Sequence, residues 1–422
     1  MSPIHSVEKR KFFVCNLILI LAFLFVFLSP SILSVSAFAT STSQQSLSPL
    51  KAGYPKTLTS PNRQYEGNFG WSVAIGGKFS IVGAPQEVAD GQSYAGHAYV
   101  YNSSTVKLVQ TLTSPNADNG GYFGNSVAIS GNLAIVGAYG ERLDGDGGFG
   151  HAYIFNATTG GLIHTLSNPT GQLAFFGYSV SISGNLAIVS APIETADGYT
   201  SAGQAYVFNA SSGKLIQNLT SPNVQLEAHF GTAVAISGQD AIVGADNQSV
   251  DGYVGAGQAY VFDADTGQVI ETLSSPNSQT GGTFGGSVAM SGKVAIVGAE
   301  WETVDGYTGA GRAYVFDADT GKLLQTLTSP DLQSYSFFGT SVAISGNFAI
   351  VGGYDENGGT GGAYVYKANT GKLIQTLTSR HAQNYGLFGW SVGISGKLEI
   401  VGAPYETADG FYQAGHAYLF KE

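Results

Sequence analysis

Between Phe69 and Phe420 the chain is written in short apolar runs separated by small and polar residues. Residues 176–222 show the scheme. F-G-Y-S-V-S-I-S-G closes on a Ser-Gly turn, and N-L-A-I-V-S-A-P stops at a proline. A polar stretch, I-E-T-A-D-G-Y-T-S-A-G, leads to Q-A-Y-V-F, the turn N-A-S-S-G and finally K-L-I-Q-N-L-T-S-P. Each apolar run is rich in Val, Ile, Tyr, Phe or Thr and bounded by Gly, Pro or Asn, as strands are. No segment keeps a helical apolar period over ten or more positions. The unit therefore predicts four antiparallel strands and no helix.

The unit repeats. Phe-Gly recurs at Phe69, Phe123, Phe176, Phe230, Phe284, Phe338 and Phe388, at spacings of 54, 53, 54, 54, 54 and 50 residues. Units of this size with four strands are the blades of a β-propeller. The chain ends separate a closed ring from an open solenoid. Six units end in a fourth strand of the T-L-T-S-P type, whereas the seventh stops after H-A-Y-L-F at residues 416–420. Its missing strand stands at the other end of the chain, as Thr57-Leu58-Thr59-Ser60-Pro61. A ring uses a unit cut this way, because the N-terminal strand completes the last blade and removes the exposed sheet edges. The expected fold is all-β, a seven-bladed propeller over residues 54–422.

The same order sorts the connections. Turns from strand one to two and from three to four share a face and are short. Connections from strand two to three, and from four into the next blade, share the opposite face and are long. Binding surfaces favour long loops on a rigid scaffold, so the long-loop face is the expected site.

Composition adds the compartment. Lys9, Arg10 and Lys11 precede an apolar run from Phe12 to Leu28 and a small-residue site, Ala37-Phe38-Ala39. Residues 1–39 read as an export signal or an uncleaved signal anchor, and residues 40–53 as a linker. The protein is expected to be secreted or held at the cell surface, with membrane contact only if the anchor persists. The one cysteine, Cys15, lies in that segment, so the body forms no internal disulfide. Removing Glu8 and the three basic residues from totals of 29 and 18 leaves 28 acidic and 15 basic residues, a net −13. Such a body repels nucleic acid, which is excluded as a partner.

F-G-x-S-V-A-I-S-G followed by A-I-V-G-A-P resembles the FG-GAP repeat of integrin α-chains and of many bacterial and archaeal surface proteins. The resemblance spans residues 54–422 and implies a propeller used in adhesion or binding. Gly-Ala-Pro is complete only at Gly83-Ala84-Pro85 and Gly402-Ala403-Pro404. Elsewhere it reads Ser190-Ala191-Pro192, Gly137-Ala138-Tyr139, Gly244-Ala245-Asp246, Gly298-Ala299-Glu300 and Gly352-Gly353-Tyr354. Many relatives carry an acidic calcium loop between strands one and two. Here that connection is S-G-N, S-G-K, S-G-Q-D or G-G-K, too short for the six to eight oxygens calcium takes. No metal or cofactor is expected. The hairpin F-D-A-D-T-G-K-L-L-Q-T-L at 316–327 is also similar to repeats of quinone-cofactor propeller enzymes, although Asp-x-Thr-Gly is itself a favourable turn.

Within the long loops Glu-x-x-Asp-Gly recurs as Glu87 and Asp90, Glu141 and Asp144, Glu194 and Asp197, Glu302 and Asp305, and Glu406 and Asp409, with Asp251-Gly252 alone in blade four. Two readings stand. The carboxylates form a rim that holds cations or basic partners, or Asp-Gly makes the turn and the Glu is merely solvated. Glu141, Asp144 and Asp146 are the best local cation candidate, though one flexible loop makes a weak site. Tyr94, Phe149, Tyr199, Tyr253, Tyr307, Phe411, Tyr412 and Trp301 accompany these loops, suited to stacking on sugars or gripping a peptide. His97, His151 and His416 share one strand-end position, and its distance from the axis argues against a shared metal. Asn102, Asn156, Asn209, Asn218 and Asn247 begin sequons.

No Ser-His-Asp order, phosphate loop or His-x-x-x-His pair is present. The expected function is a non-catalytic scaffold recognising a protein or glycan through the long-loop face. The competing classes are a propeller enzyme, quinone-dependent or glycan-cleaving, and a structural envelope protein.

Overall fold

A computed structural model describes residues 55–142 and 149–421. The export signal, Cys15, the linker and Asp144 lie outside the described residues.

Among the described residues, every strand falls in one of seven four-stranded antiparallel sheets. Blade one is typical, with strands Ser72–Gly76, Phe79–Ala84, His97–Asn102 and Leu108–Leu112. Two residues join its first and second strands, and 12 join the second and third. The innermost strands of all seven blades touch in cyclic order, so that the strand Ser391–Ser395 returns to Ser72–Gly76 and shuts the ring.

Closure uses the chain end foreseen from the repeat phase. Lys56–Leu58 pairs antiparallel with His416–Lys421, in the register Lys56 to Leu419, Thr57 to Tyr418 and Leu58 to Ala417. Leu58 is buried, and Tyr101 of blade one donates to the Thr59 carbonyl at 2.9 Å.

Packing explains the apolar runs. In the second and third strands nearly every residue is buried, because sheets stack face to face and cover both surfaces. The first strand alternates, with Val and Ile inward to a neighbouring blade, while the fourth strand is buried only at its end. The core is thus a ring of interfaces. One unites Phe79, Ile81 and Val100 of blade one with Phe123, Val127 and Val136 of blade two, and another unites blades seven and one. Each Phe of Phe-Gly has no exposed surface and meets an aromatic of its own third strand edge-on, as Phe123 meets Phe155 at 5.9 Å. Burying each contributes about 1.5–3 kcal/mol.

The glycine beside it answers two constraints at once. Gly70 has φ +94°, and a Cβ there would lie 2.2 Å from the His416 carbonyl oxygen of blade seven. Its six counterparts have φ between +90° and +97°. Only glycine satisfies both the left-handed backbone and the close approach.

Candidate functional site

The repeated glutamates are where the structure departs most from the sequence reading. Expected on an exposed rim, or solvated, Glu87, Glu141, Glu194, Glu302 and Glu406 are all 0% exposed. Each is held from two sides. Glu302 accepts hydrogen bonds from Tyr314, at 2.5 Å, and from the Ser275 hydroxyl. Tyr99 and Ser60 hold Glu87 in the same way, and Tyr418 and Ser379 hold Glu406. In blade three Thr170 and Asn168 take the serine's place on Glu194. The set extends to blade six, whose shortened loop turns Glu356 inward against Ser329 and Tyr364. Blade four substitutes the neutral Gln248, also buried.

These carboxyls tie the start of a long loop to the third strand of its own blade and to the connection arriving from the blade before. They fix the face and, being buried, are closed to any ligand larger than an ion. Burial pushes Glu141 and Glu356 up to about 7, against hydrogen bonds from Ser and Tyr that oppose it. Glu194 and Glu302 are raised for the same reason. The tyrosine partners rise too, through burial first and the nearby carboxylate second.

The position before Ala-Tyr serves the same clamp and is no mere polar strand end. His97 and His416 each place Nδ1 2.8 Å from their own blade's glutamate, and Arg312 reaches Glu302 at 3.5 Å. Gln204 and Gln258 accept from Tyr206 and Tyr260, at 2.9 and 2.7 Å.

The aspartates, by contrast, stand at the loop tips. Asp90, Asp197, Asp251, Asp305 and Asp409 all have φ near +50° and are followed by a left-handed glycine. Flanking residues exchange backbone hydrogen bonds, as Ala196 and Tyr199 do. This is a type I′ hairpin turn, which selects Asp-Gly by conformation. The turn therefore accounts for the repeated Asp-Gly. Asp409 also pairs with Arg63 at 2.9 Å. Tyr199, Tyr253 and Tyr307 beside the tips are 45–48% exposed. Glutamines of the adjoining connection brace the tips: Gln64 both donates to and accepts from Val88, and Gln279 does the same with Thr303. On the opposite face Asn102, Asn156 and Asn209 use Oδ1 to cap their turns, the role Asp263 and Asp317 play in blades four and five.

Variation between blades concentrates at the channel mouth on the long-loop face. The residue after Phe-Gly is Trp71, Asn125, Tyr178, Thr232, Gly286, Thr340 or Trp390. The one closing the Gly-Ala element is proline in three blades, and Tyr139, Asp246, Glu300 and Tyr354 in the others. These substitutions assemble into a patch. Trp71 packs on Trp390 at 4.8 Å, Trp390 on Tyr354 at 5.1 Å, Tyr354 on Phe337 at 5.1 Å, and Phe337 on Trp301 at 4.7 Å. A second arc runs from Tyr122 through Tyr139 to Tyr178, with contacts of 5.3 and 5.6 Å. In blades four and five, His229 lies 3.6 Å from Asp246 and the half-buried Glu300 lies nearby. Burial raises Glu300, and hydrogen bonds from Thr340 and Trp301 oppose it. The Asp246 carboxylate beside it raises His229, against burial. The cavity at the mouth, beside Trp71 and Trp390, holds about 280 Å³, and the channel below it, lined mainly by Val, Ala and Ile of the innermost strands, about 220 Å³, room for small molecules only.

Of this patch the sequence singles out Trp301 beside the loops, and Tyr139, Asp246, Glu300 and Tyr354 as departures from Gly-Ala-Pro. Trp71, Tyr122, His229, Phe337 and Trp390 belong to no motif, and the variable position after Phe-Gly is the one signal for Trp71 and Trp390.

Fold and mouth together define a seven-bladed β-propeller with a rigid long-loop face. The chain belongs to the FG-GAP repeat family, whose profile matches residues 56–101, 106–155, 171–208, 214–262, 270–316, 323–366 and 372–420. Six of the seven matches begin at, just before or within the fourth strand of one blade and continue into the next, so the family's unit is offset from the sheet. Comparison with curated protein sequences finds no match. Among solved structures the chain is similar to the computationally designed Ika8 protein, at 15% identity and a TM-score of 0.48, over 85% of this chain and 98% of that one. That likeness is too distant to bear on function.

Proposed function

We propose that the protein is an exported, non-catalytic binding scaffold that takes a glycan at the mouth of the long-loop face. The observation behind this reading is the contrast between blades. Residues that build the ring recur in every unit, while Trp71, Trp390, Tyr354, Phe337 and Trp301 gather on one side of the axis. Aromatic faces suit the apolar C–H faces of pyranose rings, and Asp246, Glu300 and His229 offer acceptors and a donor for hydroxyls. An acidic body also favours a neutral or cationic ligand over an anionic one. The export-type N terminus agrees with a ligand met outside the cytoplasm.

A panel of immobilised glycans probed with the wild type and a Trp301→Ala/Trp390→Ala double variant tests the reading. Retention of specific glycans by the wild type, with at least a tenfold loss in the variant, is expected. Changing Asp197, Tyr199, Asp305 and Tyr307 together separates mouth from tips. If that change abolishes binding and the tryptophan pair does not, the loop tips are the surface. Binding of proteins alone would replace the glycan.

A further inference from the structure

Blade seven differs from its six counterparts at the glutamate clamp. Elsewhere the connection entering the blade reads Ser60-Pro61-Asn62, Ser114-Pro115-Asn116, Asn168-Pro169-Thr170, Ser221-Pro222-Asn223, Ser275-Pro276-Asn277 or Ser329-Pro330-Asp331. In blade seven it is Ser379-Arg380-His381. His381 thus replaces an amide or oxygen side chain in a blade that also carries a histidine before Ala-Tyr. Among the described residues the two imidazoles and a buried carboxylate meet here: ligand atoms of His381, Glu406 and His416 lie within 4.8 Å of one another.

The geometry points to a divalent transition-metal site of the His₂Glu type, with zinc as the best-suited ion. Two of its ligands, Glu406 and His416, are buried side by side. Glu406 has no exposed surface and is held by Ser379, Tyr418 and His416, whose Nδ1 is 2.8 Å away. The third is adjustable. His381 is exposed, its Nδ1 lies 3.1 Å from the Tyr418 hydroxyl, and its ring stacks on that of His416 at 4.8 Å and 11°. Zinc bonds of about 2.0–2.2 Å put tetrahedral ligands about 3.3–3.5 Å apart. Binding therefore requires His416 Nδ1 and the Glu406 carboxylate to part by about 0.5 Å, and the exposed His381 ring to turn out of the stack and move inward by about 1 Å. The ion takes the place of the proton between His416 and Glu406, and the exposed side of His381 leaves a fourth position for water.

The chemistry is confined to this blade. Blade one has the same buried pair, His97 and Glu87 at 2.8 Å, but Asn62 stands where His381 does. Blade two likewise has Asn116, which donates to Tyr153 at 3.0 Å. An asparagine amide is a poor zinc ligand, so those blades lack the third donor. Blade seven is also the sheet that joins the first described strand to the last three. A metal there links the connection from blade six to the strand that receives Lys56–Leu58.

Zinc titration of the metal-free full chain, followed by calorimetry and thermal unfolding, tests the site. One zinc per chain is expected, with a rise in Tm of several degrees at saturation. His381→Asn installs the residue of blades one and two and should abolish both signals while leaving the metal-free Tm within a degree or two. Asn62→His should create a second site in blade one, giving two zinc ions per chain. No binding by the wild type, or undiminished binding by His381→Asn, overturns the proposal.

Discussion

The carboxylate clamp and the channel mouth share one face of the ring but are written under opposite constraints. In the clamp, Glu, Tyr and Ser return blade after blade, at 0% exposure for every glutamate, because each blade has the same loop to secure. At the mouth, equivalent positions hold proline, tyrosine, tryptophan, aspartate, glutamate, threonine and glycine. Repetition marks what the architecture needs seven times, and divergence marks what a ligand needs once. Residues that look most like a binding rim are structural, and residues that look like motif decay form the patch.

The largest effect should come from breaking the clamp. Glu302→Ala leaves Tyr314 and Ser275 buried without their acceptor and Arg312 without its counter-charge, at a cost of about 3–5 kcal/mol in chemical denaturation. Trp301→Ala, half-exposed at the mouth, should cost under about 1 kcal/mol in the same assay. Equal losses from the two would erase the distinction.

Proton linkage sharpens it next. Glu141 and Glu356 titrate near 7 when folded and near 4.5 when unfolded, so the folded chain holds their protons to higher pH. Their protonation stabilises fully below about pH 4.5, and that contribution fades as pH climbs towards 7 and stays constant above it. Stability should fall between pH 5 and 7.5 by about 2 kcal/mol per group, seen as a falling Tm. Glu141→Gln with Glu356→Gln should flatten the profile, whereas Glu300→Gln at the mouth should leave most of the slope.

At the mouth itself, either Trp301→Ala or Trp390→Ala should weaken ligand binding about tenfold, near 1.4 kcal/mol, with little change in Tm. Smallest is the brace. Gln279→Ala removes two hydrogen bonds to Thr303 and should cost about 1 kcal/mol or less, visible as faster amide exchange in residues 303–307 rather than as a global loss.

The ring was readable because its rules are local and repeated. Phe-Gly at near-constant spacing, turn glycines, and a fourth strand displaced to Thr57 specify blade count and closure without knowledge of any contact. The clamp was hidden because carboxylates by default face water. Its partners are also separated in sequence: Ser275 precedes Glu302 by 27 residues and Tyr314 follows it by 12. That 12-residue interval from Glu to Tyr recurs in blades one, two, three, five and seven and was a usable signal. Blade six breaks it, since Glu356 and Tyr364 stand eight apart. The mouth was hidden for the reverse reason: its residues agree in no motif and become neighbours only when seven blades converge on an axis.

Lys56–Leu58 makes the ring a late achievement of biosynthesis. This segment leaves the ribosome ahead of every blade, yet the strand that receives it, His416–Lys421, follows every other strand of the ring. Until some 360 residues have followed, its hydrogen-bonding groups have no sheet of their own, and the growing chain is a string of blades with open edges. That short segment closes the ring only once His416–Lys421 has been made.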